Sequence, residues 1–455
     1  MSSHHRLLPS PRKSRNSCLI RLIPCRLIQP SLAQSIYVLD GSLRPKQPRR
    51  RHRIGGHCSF LDMARLMTIP TDLTARMSSA EPPTSKDVPV LHSPSGKVFS
   101  IQVKVTDQVH VRPWTHAVYV GEGAANVLFI AFLYTKYERN HDNDRTEADL
   151  LTKFLLRVPK ENKDPAKPFY EPGQQYLYFW EKIAPLFSYR ADMLAEVTWA
   201  RIHPDAVWHL QKVLKAMDAA PPGSRSRPPK FRGDKIAGRD LVLMVESMRA
   251  RSEDERVIEF KPKWLAQSPS APKDANTCRC CALAARKFAS NKDRSLDPRD
   301  YPCPLWLDPE RTTPRGKEGV RQKALERVFQ NSSSGDNKHA STLYELLKKT
   351  CILVLLKKHQ LSKDSRGPLL ASKNDEEFCT AMTLRDCSLY MRYKVQKTLG
   401  GQETVVAESF EAKLADLDKK NADWKFTEWR DKEQALVDEG WYTGRGGMRN
   451  CALQR

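Results

Sequence analysis

Three short stretches hold residues whose types and spacing could do chemistry. VIEFKPKW (257–264) sets Glu259, Lys261 and Lys263 at alternate positions. Alternate side chains on a strand share a face, about 6 to 7 Å apart. A carboxylate and two ammonium groups would then line one face, while Ile258, Phe260 and Pro262 pack on the other. Pro262 removes a ladder donor and predicts a strand end or an edge. The plain alternative is a solvated strand end with an internal ion pair. MTLRDCSLYMR (382–392) predicts Asp386 in mid-strand among apolar residues, on one face with Ser388 and Tyr390. A carboxylate so placed serves a hydrogen-bonding partner, a metal or a proton. ADLDKK (415–420) sets Asp416 and Asp418 on one face. Carboxylates at i and i+2 suit Mg²⁺, which takes one or two protein carboxylates plus substrate phosphates. An exposed turn is the alternative for both acidic motifs.

A fourth stretch, VYVGEGAANVLF (118–129), runs from a strand into Gly121, Glu122 and Gly123 and back into a strand. Glycine lets backbone N–H groups turn toward a phosphate. Because a strand follows, the pattern is that of a kinase-type hairpin loop rather than a dinucleotide fingerprint. An ordinary hairpin turn is the competing reading. In LLRVPK (155–160), Arg157 stands where kinase folds place a cation for nucleotide phosphates, or is a surface arginine. CRCC (278–281) gives Cys278 and Cys281 the CxxC spacing of a zinc site, with Cys303 as a third thiol. No second CxxC and no HxxxH follows. The sequon at 331–333 carries no meaning in a chain of reduced thiols.

The elements that must position these groups follow from composition and period. The chain has 455 residues, 40% of them hydrophobic, which is enough for a two-lobed domain or two to three domains. A net charge of +23 calls for an anionic partner: nucleic acid, a membrane surface or a phosphorylated small molecule. No apolar run reaches the roughly 20 residues of a membrane span. Eleven scattered cysteines in so long a chain point to a reducing compartment. Residues 1–95, rich in Arg, Ser and Pro, read as a disordered basic leader. It could be a mitochondrial targeting segment, a nuclear-type tract or an over-extended start, with nucleus or cytoplasm as the expected location. KVFSIQVKV, HAVYV, NVLFIAFLY, KFLLRVP and DLVLMVE read as strands. QQYLYFWEKIAPLF, ADMLAEVTWARI (191–202), 318–329, 341–361 and 425–441 read as helices. Residues 379–395 read as a strand pair or one long strand, and 408–418 ends in a strand.

Taken in chain order, the GEGAAN loop, LLRVPK, VESM, EFKPKW, CRxC, LRDCS and DLDxK resemble the inositol-pentakisphosphate 2-kinases in their fungal form. The likeness spans about residues 115–441. It implies an α/β (α+β), two-lobed kinase-like fold. Residues 96–250 would form an N-lobe with an antiparallel sheet, and 251–455 an enlarged C-lobe that binds the inositol phosphate. It implies ATP-dependent phosphorylation of the axial 2-hydroxyl of inositol 1,3,4,5,6-pentakisphosphate, with Mg²⁺. By resemblance, Gly121, Glu122, Gly123, Ala124, Ala125 and Asn126 cover the nucleotide phosphates and Arg157 holds them. Val245, Glu246, Ser247 and Met248 form the adenine hinge, and Glu259 helps the nucleotide site. Asp386 takes or orients the proton of the 2-hydroxyl. Lys261 serves the reaction centre, and Asp416 with Asp418 the metal. Lys263 and Lys420 bind substrate phosphates, with Arg279, Arg327, Lys425 and Arg430 as further candidates. Lys419 stands where the family has an aliphatic residue, which leaves open which of Lys419 and Lys420 reaches the site. The zinc ligands of plant members have no counterpart here. The rival reading is a basic nucleic-acid or polyphosphate-binding protein without turnover. Nucleic acid is not required by the leading reading, and a monomer is expected.

Overall fold

The computed structural model describes residues 117–130, 153–164 and 170–454, apart from 203, 221–226, 240, 291–296, 331–337, 399–400 and 449. The basic leader and the expected strand KVFSIQVKV lie outside the described residues. All described residues belong to one of two units of the chain, 58–455.

Two antiparallel sheets organise this unit. Val118–Glu122 (β1) and Asn126–Ile130 (β2) make a hairpin closed by Gly123 N–H donating to Asn126 O at 2.9 Å. Phe154–Pro159 (β3), Val197–Arg201 (β4) and Leu241–Glu246 (β5) complete a sheet in the order β1-β2-β3-β5-β4. Alternation sends Val127, Phe129, Leu156, Val158, Val242 and Met244 to one core. The helix Pro204–Asp218 (α2) closes it with Ala206, Leu210 and Leu214, one turn apart. The helical expectation for 191–202 is overturned. Val197, Thr198 and Trp199 are β-branched or aromatic, and they pair with Val245, Met244 and Leu243 of β5.

Glu255–Phe260 (β6), Ser388–Lys397 (β7) and Glu403–Ala415 (β8) form the second sheet, in that order. β6 is an edge and stops at Phe260, as Pro262 requires. Lys261 to Trp264 therefore continue as irregular chain, with Lys263 at φ 59°. The alternation rule does not place the two lysines; the turn after the strand does.

Helix Pro172–Tyr178 (α1) is capped reciprocally by Glu171 and Gln174 and runs on through a π-helical turn to Phe187. Arg279–Ala289 (α3), Glu318–Gln330 (α4), Ala340–Lys349 (α5), Ile352–Lys363 (α6), Glu376–Leu384 (α7) and Ala422–Asp438 (α8) follow. The single helix expected over 341–361 breaks at Cys351, φ 58°. The strand expected from 379 is overturned up to Leu384, which ends α7. Asp375 caps α7 by accepting from Phe378 N–H at 3.0 Å. The described residues thus make a mixed α/β fold of two antiparallel sheets and eight α-helices. None of these helices is long and apolar enough to cross a membrane.

The sheets meet at the segment 193–195. Leu414 N–H donates to Met193 O and Ala195 N–H to Leu414 O, each at 2.8 Å. The buried Lys413 ammonium donates to both carboxylate oxygens of Glu246 at 2.8 Å.

Candidate active site

A cleft of about 1250 Å³ lies where the two sheets meet. Its walls include the hairpin turn 121–126, Arg157, Val245, Glu246, Met248, Glu259, Lys261, Asp386, Asp416, Asp418 and Lys420. Its chemical centre is Asp386. This residue is not in mid-strand: it sits in the turn between α7 and β7, with its side chain half exposed. The turn is held from behind. Arg385, buried and ion-paired to Asp364 at 2.6 Å, lies over the Trp264 ring at 3.6 Å. Burial pulls the Arg385 guanidinium down to about 10, against the pull of Asp364. Gln360, buried on α6, donates to Lys263 O at 2.8 Å and Leu384 O at 3.1 Å, and accepts from Leu265 N–H at 3.0 Å. One amide thus ties the KPKW segment to the end of α7. Sequence reasoning missed Arg385 and Gln360; the signal was a polar residue on the inner face of α6 and one just past the end of α7, which periodicity alone does not rank.

Three lysines converge on Asp386. Lys263 Nζ is 3.1 Å from Oδ1, Lys420 Nζ is 3.1 Å from Oδ2, and Lys261 Nζ donates to the Asp386 carbonyl at 2.6 Å. Lys261 also donates to Asp416 Oδ2 at 2.8 Å. Burial pushes the Asp386 carboxyl up, but Lys420, Lys263 and Lys261 together hold it far below the usual carboxylate range. Lys420, not Lys419, makes this contact: Lys419 turns its ammonium over the Tyr170 ring at 4.7 Å. Asp416 and Lys263 both adopt positive φ, 55° and 59°, a sparsely populated region for non-glycine residues. Asp416 and Asp418 do not act as one face, because β8 ends before them. Asp418 takes Arg157 in a two-bond fork, one arm 2.6 Å. Burial opposes both charges, and the pairing nonetheless keeps Asp418 below and Arg157 above their ordinary values.

Several expected ligands have other duties. The Glu122 carboxylate is fully buried, ion-paired to Arg227 at 2.7 Å and Lys160 at 2.6 Å. It braces the hairpin turn instead of presenting a charge to the cleft. Glu246 is spent on Lys413, and at the expected hinge Glu246 N–H donates to Glu196 O and Ser247 N–H to Lys153 O. Arg279 is buried against Glu433 at 2.6 Å and under Trp264, so it is a structural cation. Arg327, Lys425 and Arg430 are not wall residues of the cleft, whereas Lys263, also outside its wall, reaches Asp386 there. Arg327 pairs with Asp300, Lys425 with Glu428 and Arg430 with Asp431. Glu259, exposed on the edge strand, accepts the Ser388 hydroxyl at 3.0 Å.

Fold and site together define a mixed α/β protein whose cleft gathers ammonium groups around one carboxylate, beside a second pair of aspartates. That is the charge pattern of a site for a polyanion. The chain belongs to the inositol-pentakisphosphate 2-kinase family, whose pattern it matches over residues 119–435. It is also similar to the inositol-pentakisphosphate 2-kinase of Yarrowia lipolytica (strain CLIB 122 / E 150), 31% identical over 201 residues. That match covers 43% of this chain and 56% of the relative, so the chain spans about half the relative's length.

Proposed function

We propose that this chain transfers the γ-phosphoryl group of ATP to the axial 2-hydroxyl of inositol 1,3,4,5,6-pentakisphosphate, giving the hexakisphosphate. The observation that carries this reading is the convergence of Lys261, Lys263 and Lys420 on Asp386. Five phosphates on one ring need several fixed cations, and an acceptor hydroxyl needs one carboxylate among them. In the free protein the carboxylate neutralises the lysines. Substrate phosphates would draw them off and leave Asp386 to accept the 2-hydroxyl proton in a hydrogen bond. While its lysines stay close, so acidic a carboxylate is a weak base. A loose phosphoryl-transfer transition state asks for orientation more than for a strong base, and Asp386 is the orienting group. Lys261 stabilises charge on the transferred group, and Lys263 and Lys420 hold ring phosphates.

The cleft exceeds the roughly 300–1,000 Å³ that one small ligand fills, which suits two substrates side by side. The two-lobed kinase-like reading places the nucleotide under the 121–126 turn, with the five-stranded sheet as the smaller lobe. Adenine contacts then fall on backbone beyond Ser247, since the groups before it are used. Asp416 fits a divalent cation, offering a hard oxygen ligand at the cleft wall where Lys261 balances its charge; Asp418 would join it only by leaving Arg157, which holds both its oxygens. Mg²⁺ bound there would neutralise charge on the nucleotide phosphates.

The test is the full chain with ATP, Mg²⁺ and inositol 1,3,4,5,6-pentakisphosphate, products separated by anion exchange. A Mg²⁺-dependent hexakisphosphate peak lost in Asp386→Asn is the expected result. A folded, ATP-binding protein that yields no peak overturns the assignment and points to a polyphosphate-binding role.

A further inference from the structure

We infer that Arg227 is a positioning residue of the nucleotide site: from outside the cleft it holds the 121–126 turn in the shape that meets the nucleotide phosphates. This role rests on the nucleotide reading of the cleft. The Arg227 and Glu122 side chains are both fully buried. They meet in a two-bond fork, Nε–H donating to Oε1 at 2.7 Å and Nη2–H to Oε2 at 2.8 Å. The remaining arm, Nη1, reaches the Asp218 carboxylate oxygens at 3.0 and 3.2 Å and the Asp234 carbonyl at 3.2 Å. Lys160 adds a second cation, 2.6 Å from Glu122 Oε2 and 3.0 Å from Asp234 Oδ2. Tyr119 donates its hydroxyl to Glu122 Oε1 at 3.0 Å. Burial pushes the Glu122 carboxyl up, but hydrogen bonds from Arg227 and Lys160 hold it below its ordinary value.

What the fork supplies is direction. A buried ion pair stabilises a fold no better than well-packed apolar side chains would. A bidentate guanidinium–carboxylate pair, however, fixes both angle and distance. Direction matters at Glu122 because Gly121 and Gly123 flank it at the cleft wall. A Cβ added at either glycine would meet no atom within 4 Å. Packing therefore does not require them, and neither has a positive φ. Bare backbone beside open space is what a phosphate group needs.

The brace is anchored independently of the turn. Ile236 N–H donates to Gln211 Oε1 on α2 at 2.8 Å, and Ala237 N–H to Pro159 O on β3 at 2.9 Å. Asp218, which takes the Nη1 arm, ends α2. Arg227 thus refers the turn to α2 and to the sheet. Without the guanidinium, Glu122 keeps Lys160, a point charge that fixes no angle.

The experiment measures ATP and inositol pentakisphosphate affinities separately, by titration calorimetry on the full chain with Mg²⁺. Arg227→Met should weaken ATP about tenfold, Glu122→Gln about as much, and the double variant no more than either, because each breaks the same fork. Inositol pentakisphosphate affinity should not change. Arg227→Lys should restore only part of the loss, since an ammonium cannot make the fork. Lys230→Ala removes an exposed charge from the same segment and should leave both affinities as they are. Because Arg227→Met could fail to fold, the double variant, which removes both buried charges, is read in the same way. Wild-type ATP affinity in the folded variants overturns the role, and equal losses for both ligands make Arg227 merely structural. Binding needs no turnover, so a missing hexakisphosphate product would sink the acceptor assignment and leave this test intact. A wild-type chain that binds no ATP overturns both.

Discussion

Asp386 and its three lysines form an internal salt cluster that is also the proposed reaction centre. The cluster has a consequence that separates binding from turnover. Removing the carboxylate leaves Lys263 and Lys420 without their anion, while Lys261 keeps Asp416, so a polyphosphate loses a competitor. Asp386→Asn should lower kcat by about 10²–10⁴-fold, the range for loss of a proton-handling side chain. Its affinity for inositol pentakisphosphate, measured by titration calorimetry without nucleotide, should be unchanged or tighter. Weakened binding together with a lower melting temperature would make Asp386 a structural residue. Glu122 and Arg279 teach the converse at this scale. Both are charged residues in family motifs, yet each is consumed by a buried partner, Arg227 or Glu433.

At the scale of elements, the Arg157–Asp418 fork ties β3 to the segment after β8. Both side chains are mostly buried, so removing one leaves the other charged and unpaired. Arg157→Leu should cost about 3 kcal/mol in urea unfolding, and Asp418→Asn in the same background should recover part of it. Equal and additive losses would show that the pair is not coupled. Helix α6 carries a pH-sensitive contact. His359 packs edge-on against Phe187 at 5.5 Å between ring centres. Burial, then the charges of Lys358 and Lys363, push its imidazole below the ordinary 6.5, against a backbone contact at Leu186. Between the folded and unfolded values the unfolded chain binds more protons. His359 therefore stabilises fully above about pH 6.5, and the contribution drains as pH falls below it. The melting temperature should drop from pH 7.5 to 5.5, less steeply in His359→Gln; parallel slopes would remove His359 as a source.

The molecule as a whole carries 23 more positive than negative charges. About half of that excess belongs to residues 1–116, outside the described residues; the remainder favours a polyanion, and because exposed charge acts over about 10 Å at 0.1 M salt, that effect fades as salt rises. KM for inositol pentakisphosphate should increase several-fold between 50 and 200 mM KCl, and more than KM for ATP, because the inositol ligand bears more phosphate charge. A salt-independent KM would mean that only the buried contacts count. The same net charge was compatible with nucleic acid.

Local chemistry was legible in the residues themselves. Two lysines flanking a proline after an apolar run, an aspartate in LRDCS and a pair in DLD identified the family and most of the cleft, because those motifs are short and contiguous. β6 as an edge that ends near Pro262 was legible too, since a missing N–H acts on its own residue. Asp386 on a turn instead of a strand was not, because a nine-residue helix of mixed apolar and polar residues has no clean period. The choice of Lys420 over Lys419 depends on the turn after Ala415, where Asp416 takes a left-handed backbone. Which charges are free for ligand, and which are bound to Glu433 or Arg227, depends on partners more than 100 residues away in the chain. Cys451 meets Cys278, Cys281 and Cys303, all buried, the same way. The sequence by itself determined which groups the protein owns and how each short segment prefers to run. Tertiary structure alone decided which groups meet, because charge pairing and sulfur clustering are set by distance in space, and chain separation carries no information about it.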